Sequence, residues 1–167
     1  MTSIRIATID DVQTISLIHA FSWKEAYKNN LSQQFLRSIQ NDRWVPFFTE
    51  HIQNQRFETA LYFADEKATA CITYGKSRDE SLGDCAEIVS LYVLPEYWSQ
   101  KQGYELMQFT MKRLKEQGFK QAILWVLKEN ERAIQFYHKI GFANDGVTIE
   151  VPLDDKILTD LRYCIKL

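Results

Sequence analysis

The stretch "AEIVSLYVLPEYWSQKQGYELM", residues 86 to 107, decides how the chain is read. Its first nine residues are apolar almost throughout, as a central strand covered on both faces requires. After a short turn, Leu106, Met107, Thr110, Met111 and Leu114 recur at helical spacing until Gly118 stops the pattern. A second apolar run, "QAILWVL" (121–127), completes a β-α-β crossover. Such a unit sets the helix N-terminus at the carboxyl edge of the sheet, where open α/β sheets bind ligands. Strand-to-helix turns hold phosphates when glycine lets the backbone approach. This one keeps a single glycine, Gly103, and places Ser99, Gln100, Lys101 and Gln102 before it. Ser99-x-x-Gln102 also reads as a capping box, in which the helix satisfies its own N–H groups.

Working outward, "SIRIA" (3–7) is a short strand, and Thr8 and Asp11 form a cap-like start for a helix carrying Val12, Ile15 and Ile18. His19 lies beside that stripe, as a core or rim residue. A second helical stretch runs from about Ser32 through Phe35, Leu36 and Ile39. The segment from Trp44 to Phe57 has no clear period. Two strands flank an Asp65-Glu66-Lys67 turn, with Ala70, Ile72 and Tyr74 on one face. Residues 77–84 form a solvated loop. Beyond strand 121–127, Ala133, Phe136, Tyr137 and Ile140 mark a helix that Gly141 ends. Two tail strands are expected around 147–151 and 160–166, joined through Asp154-Asp155. The order is β-α-α-β-β-β-α-β-α-β-β, an α/β architecture with helices on both faces of one mixed sheet.

At 167 residues the chain suits one domain with a continuous core. Hydrophobic residues make up 46% and charged residues 25%, as in an ordinary globular protein. The formal charge of −2, with no dominant basic cluster, argues against nucleic acid as a partner. The three cysteines, Cys71, Cys85 and Cys164, are scattered, which suits buried thiols better than disulfides or a metal site. No apolar run approaches the ~20 residues of a membrane span. "MTSIRIATIDD" shows no secretory signal, so Asn30-Leu31-Ser32 is a sequon without consequence and a cytoplasmic location is expected.

Three elements fall together: "EIVSLYVLPEYW", the turn with Gly103, and "LWVLKENERAIQFYHKIGF" (124–142). Together they resemble the GCN5-related N-acetyltransferase (GNAT) superfamily. Asn130, Ala133, Phe136, Tyr137, Lys139, Gly141 and Phe142 match its Asn-x-x-Ala-x-x-Phe-Tyr-x-Lys-x-Gly-Phe pattern throughout. "IRIATIDDVQTISLIHAFSWKEAY" and "GFANDG…LRYCIKL" are similar to the same family, so the resemblance covers nearly the whole chain. It implies a mixed sheet of six to seven strands, with a cleft where strand 86–94 splays from strand 121–127 at a β-bulge. Acetyl-coenzyme A is the implied cosubstrate, with no metal. Its pantetheine arm would pair with the freed main chain of Leu91 and Val93 like an added strand. The Leu91 N–H would hold the thioester carbonyl and the oxyanion formed on attack.

The resemblance further makes Tyr137 the general acid for the departing thiolate. Asn130 would bind the pantetheine arm or cap its own helix. The family's pyrophosphate loop, Arg/Gln-x-x-Gly-x-Gly/Ala, aligns with Trp98, Ser99, Gln100, Lys101, Gln102 and Gly103. Trp98 and Lys101 depart from it. A left-handed backbone at Lys101 would cost about 1–2 kcal/mol. Against that, its ammonium can contact the pyrophosphate in a charged hydrogen bond contributing about 1.5–3 kcal/mol.

A protonated alkyl amine cannot attack a thioester, and Glu87, directly or through water, is the expected proton acceptor. Its alternative is an exposed strand-end carboxylate. Trp23 and Tyr27, four residues apart in "SWKEAY", are candidates to wall the acceptor pocket and hold a cationic amine, or to pack on the sheet. Asp79, Glu80, Asp84 and Glu87 suggest a polyamine-like acceptor. The expected activity is direct acetyl transfer to a primary amine of a small molecule, as in bacterial small-amine acetyltransferases. A homodimer is expected, since the family often pairs through its terminal strands. The other reading is a non-catalytic member of the fold that binds acyl-coenzyme A or a protein partner. The altered turn favours it, whereas Tyr137 and Asn130 favour the enzyme.

Overall fold

A computed structural model describes all residues from Met1 to Leu167. The strands are β1 (Thr2–Ile6), β2 (Phe57–Ala64), β3 (Lys67–Lys76), β4 (Ala86–Val93), β5 (Gln121–Leu127), β6 (Ala143–Leu153) and β7 (Lys156–Lys166). They form one seven-stranded sheet in the order β1-β2-β3-β4-β5-β7-β6, antiparallel everywhere except between β4 and β5. The helices are α1 (Val12–Ala26), α2 (Gln33–Ser38), α3 (Val45–Gln53), α4 (Gln102–Glu116) and α5 (Glu131–Ile140). The expected α/β class and mixed sheet are what the chain adopts.

The two faces of the sheet differ in what they bury. On one, Ile72, Tyr74, Ile88 and Leu124 pack with Leu106, Met107 and Leu114 of α4 and Tyr137 of α5. On the other, Leu61 and Cys71 pack with Ile15 and Ile18 of α1 and Phe48 of α3. Along β4 Ile88 faces α4 and α5, and after one extra residue that shifts the alternation Leu91 and Val93 face the same way, while Tyr92 faces α1 and α3.

Local signals start several helices. Thr8 and Asp11 form the expected capping box before α1, and the Ser32 hydroxyl accepts from the Phe35 N–H at 3.1 Å to open α2. Ser16 ties α1 to the next connection, donating to the Asn41 carbonyl at 2.7 Å and accepting from the Trp44 N–H at 3.0 Å. Helix α3 lies in the segment that has no clear period. Its start has no side-chain cap, and what fixes it is Phe48, buried against the His19 ring at 4.9 Å between centroids. The tail strands are longer than expected. β6 begins before the expected start and takes in a register shift between Asn144 and Thr148, with Gly146 at φ +84°. All cysteines are free thiols.

Candidate active site

β4 and β5 pair only through Ala86–Ala122, Glu87–Ile123 and Ile88–Leu124. On the other side of β4 the register slips between Thr73 and Tyr74, which pair with Ser90 and Ile88 and leave Val89 as the extra residue of a bulge. Beyond the bulge β4 stays on β3 and leaves β5, so the strands splay as expected. The Leu94 N–H donates to the Thr69 carbonyl at 2.9 Å, which sets the phase of the ladder. Even-numbered residues 90 to 94 turn their main-chain groups to β3, so those of Leu91 and Val93 point into the cleft. Both carry free N–H groups toward it. The Val93 carbonyl is occupied, accepting the Trp98 indole N–H at 2.8 Å and the Ser22 hydroxyl at 3.3 Å.

The turn answers the question its sequence raises. Ser99 and Lys101 both adopt left-handed backbones, at φ +63° and +65°, at positions glycine would take without strain. The capping box does not form. Lys101, not Ser99, is the N-cap of α4 and makes no side-chain cap. The Gln102 side chain turns into the core, where its carbonyl accepts from the Thr69 hydroxyl at 2.7 Å. A buried amide needs that partner, and satisfying it removes the side chain from the helix end. The first N–H groups of α4 are thus left for another acceptor. Gly103 lies behind them. A methyl group there would sit 3.5 Å from Phe136 and 3.6 Å from Val93, filling the space between helix and cleft. Across the turn, the Arg132 guanidinium stacks on Trp98, 3.5 Å from the ring centre.

α5 brings Asn130 and Tyr137 to the same cleft. The Asn130 side chain accepts from the Ala133 N–H at 3.1 Å, so it is the N-cap, with its amide NH₂ still free. Tyr137 is buried against Phe136 and Phe142, and its hydroxyl has no hydrogen-bond partner in the protein. Burial, with Tyr27 nearby, pushes its pKa well above the usual tyrosine range.

Glu87 is not an exposed strand-end residue. It is 2% exposed, and it accepts from the Arg78 main chain at 2.9 Å, from Arg78 Nε at 3.1 Å and from the end of the same guanidinium. Its charge is therefore already matched. Asp79 caps its own loop through Ser81, and Asp84 pairs with Lys76 in solvent. The acidic group expected to attract a polyamine is thus spent on protein partners or exposed. Of the two roles expected for Trp23 and Tyr27, the structure shows the packing one. They pack on each other at 4.5 Å within the small cluster of Ala20, Leu31, Leu36 and Ile39. Burial, and then the nearby carboxylate of Asp160, raise the pKa of the Tyr27 hydroxyl, while the neighbouring Tyr92 hydroxyl acts to lower it.

Two side chains escaped sequence reasoning, and a third, His19, reads there only as a core or rim residue. His19 sits beneath the bulged strand, its Nδ1 donating to the Ile15 carbonyl at 3.0 Å, so that Nε2 can accept from the Ser90 hydroxyl at 3.3 Å. Tyr92 and Asp160 complete the group. No spacing signal ties them to it, because they meet only through the sheet.

A family model described as acetyltransferase (GNAT) matches residues 20–142, a span that holds the bulged strand, the turn and α5. The chain belongs to that family. As a GNAT protein it is an acetyl-coenzyme A-dependent N-acetyltransferase, and the resemblance found in its sequence is confirmed. Among its relatives is a spermidine N(1)-acetyltransferase from Thermoplasma acidophilum, 27% identical over 83% of this chain and 86% of that protein. The crystal structure of PaiA N-acetyltransferase from T. acidophilum, in complex with coenzyme A, superposes with a TM-score of 0.78 at 23% identity, covering 100% and 99% of the two chains. YncA from Salmonella typhimurium, solved with acetyl-coenzyme A, gives 0.76 at 16% identity over 99% and 94%. These likenesses show that the GNAT fold extends over the whole chain.

Proposed function

We propose that the protein transfers the acetyl group of acetyl-coenzyme A directly to a primary amine of a small molecule. The observation that carries this is the splay beyond Val89, which turns the main chain of Leu91 and Val93 into a cleft closed on one side by Tyr137. Pantetheine pairs there as an added strand, with the Asn130 amide as a further donor. The uncapped start of α4, with Lys101 and Arg132 beside it, receives the pyrophosphate. Left-handed Ser99 and Lys101 keep the shape that glycines would give, so the altered turn is no argument for a non-catalytic protein.

The amine attacks the thioester carbonyl from the face of α1. Charge developing on the oxygen is met by the Leu91 N–H. As the carbon–sulfur bond breaks, the Tyr137 hydroxyl gives its proton to the thiolate; with its pKa raised, it is protonated throughout the physiological range. The proton shed by the amine passes through water toward Glu87, which can take it only by releasing one of its bonds to Arg78. Thermal shift with acetyl-coenzyme A, followed by acetyl transfer to a panel of amines that includes spermidine, tests the reading. Stabilisation of ~2.7 kcal/mol is expected at a hundredfold excess over the dissociation constant. No shift at millimolar coenzyme would sink it.

A further inference from the structure

The acceptor face holds two buried or half-buried carboxylates with opposite fates. Glu87 is fully engaged by Arg78. Asp160 has no partner. In β7, Leu161 and Tyr163 face α4 and α5, so Leu158, Asp160 and Arg162 face α1. Leu158 packs on the cluster that holds Trp23 and Tyr27. Arg162, the nearest cation along the strand, is committed to Asp145 at 2.7 Å. Between them Asp160 stands opposite Leu127, the last residue of β5, at the wide end of the splay.

No hydrogen bond or ion pair reaches the Asp160 carboxylate; burial and the charge of Glu129 both disfavour its ionised form. Its field is felt at the Tyr27 hydroxyl, which in turn is felt at Tyr137. A line of groups thus runs from the proposed acid to an unmatched carboxylate, with the stacked Trp23 and Tyr27 rings alongside. Half-burying a carboxylate without a counter-charge is costly, and a ligand that brings the charge removes the cost.

We propose that Asp160 is the acceptor-specificity residue and that its ligand is an ammonium group other than the one that reacts. The reacting nitrogen must be uncharged to attack, and a carboxylate beside it would favour its protonated form. Asp160 therefore selects for a second charge, held a few bonds away along an alkyl chain lying on Trp23 and Tyr27. The substrate class is a diamine or polyamine. This rests on the small-amine reading above and deepens it.

The test compares spermidine with n-butylamine, which has one amine only, by calorimetry on wild type and Asp160→Asn, each with and without coenzyme A. Wild type is expected to bind spermidine about 10–100-fold more tightly than n-butylamine, the worth of one charge-assisted bond. Asp160→Asn should lose most of that preference and leave n-butylamine unchanged. Its melting temperature should not fall, because the variant removes an unmatched charge. Undiminished spermidine binding by Asp160→Asn, no preference in wild type, or a destabilised variant would each overturn the proposal. The coenzyme shift is read separately. Selective spermidine binding without a coenzyme shift would sink the acetyl-transfer reading and leave the amine site standing.

Discussion

The indole N–H of Trp98 donates to the Val93 carbonyl at 2.8 Å, across the groove where pantetheine is proposed to pair. In the proposed mode coenzyme and indole compete for one acceptor, so pairing at Val93 requires that the Trp98 ring move. Trp98→Phe keeps a ring for Arg132 to stack on and deletes the competing donor. A net protein hydrogen bond is worth about 0.5–1.5 kcal/mol, so coenzyme A should bind about 2–12-fold more tightly to the variant. Titration calorimetry decides it. Unchanged affinity would mean that the Val93 carbonyl takes no part in binding.

Lys101 holds a left-handed backbone at the start of α4. Lys101→Gly should relieve about 1–2 kcal/mol and raise the melting temperature by about 2–4 °C for each kcal/mol. If its ammonium also holds the pyrophosphate, coenzyme affinity should fall in Lys101→Gly and Lys101→Ala alike, most at low salt, where screening is least. Tighter binding by the glycine variant would show that the β-carbon crowds the site. A coenzyme fragment without the pyrophosphate should show no dependence on residue 101.

Tyr137→Phe removes a hydroxyl that has no partner in the protein, so the fold should be unaffected. Turnover should drop about 10²–10⁴-fold with coenzyme affinity unchanged, the pattern for loss of a general acid. Steady-state kinetics beside calorimetry separates the two quantities. A wild-type rate would return Tyr137 to the core.

His19 is buried among Phe48, Tyr92 and Trp44, and burial lowers its pKa from 6.5 to about 4. The folded state therefore prefers the neutral ring. Its contribution is fully present above pH 6.5 and is lost as pH falls from there toward 4, by about 3 kcal/mol in all. His51, also held low by burial, acts in the same direction. Denaturant unfolding between pH 7 and 4.5 should show this slope in wild type and a flatter one in His19→Phe. Equal slopes would place the effect elsewhere.

The sequence by itself determined the parts whose cause is local. The apolar runs 86–94 and 121–127, the Ser32 cap, and the motif from Asn130 to Phe142 each carry their reason within a few residues. They were enough to identify the fold, the family and the cleft. Where a local pattern had a distant competitor, the tertiary structure decided. Ser99-x-x-Gln102 spells a capping box, yet Thr69 offers the buried Gln102 amide a partner inside the protein, and the helix end stays open. Residues 45–53 have no side-chain cap and only Pro46 to mark their start, and α3 is fixed where Phe48 finds a place beside His19. Glu87 reads as a free carboxylate until Arg78 is seen to fold over it. Asp160 reads as nothing at all. Only the pairing of β7 with β5 carries it from the far end of the chain to the neighbourhood of Tyr27. The difference is physical: a cap or an apolar stripe is settled by neighbours in sequence, whereas the partner of a buried charge is settled by whatever the fold brings within a few ångströms.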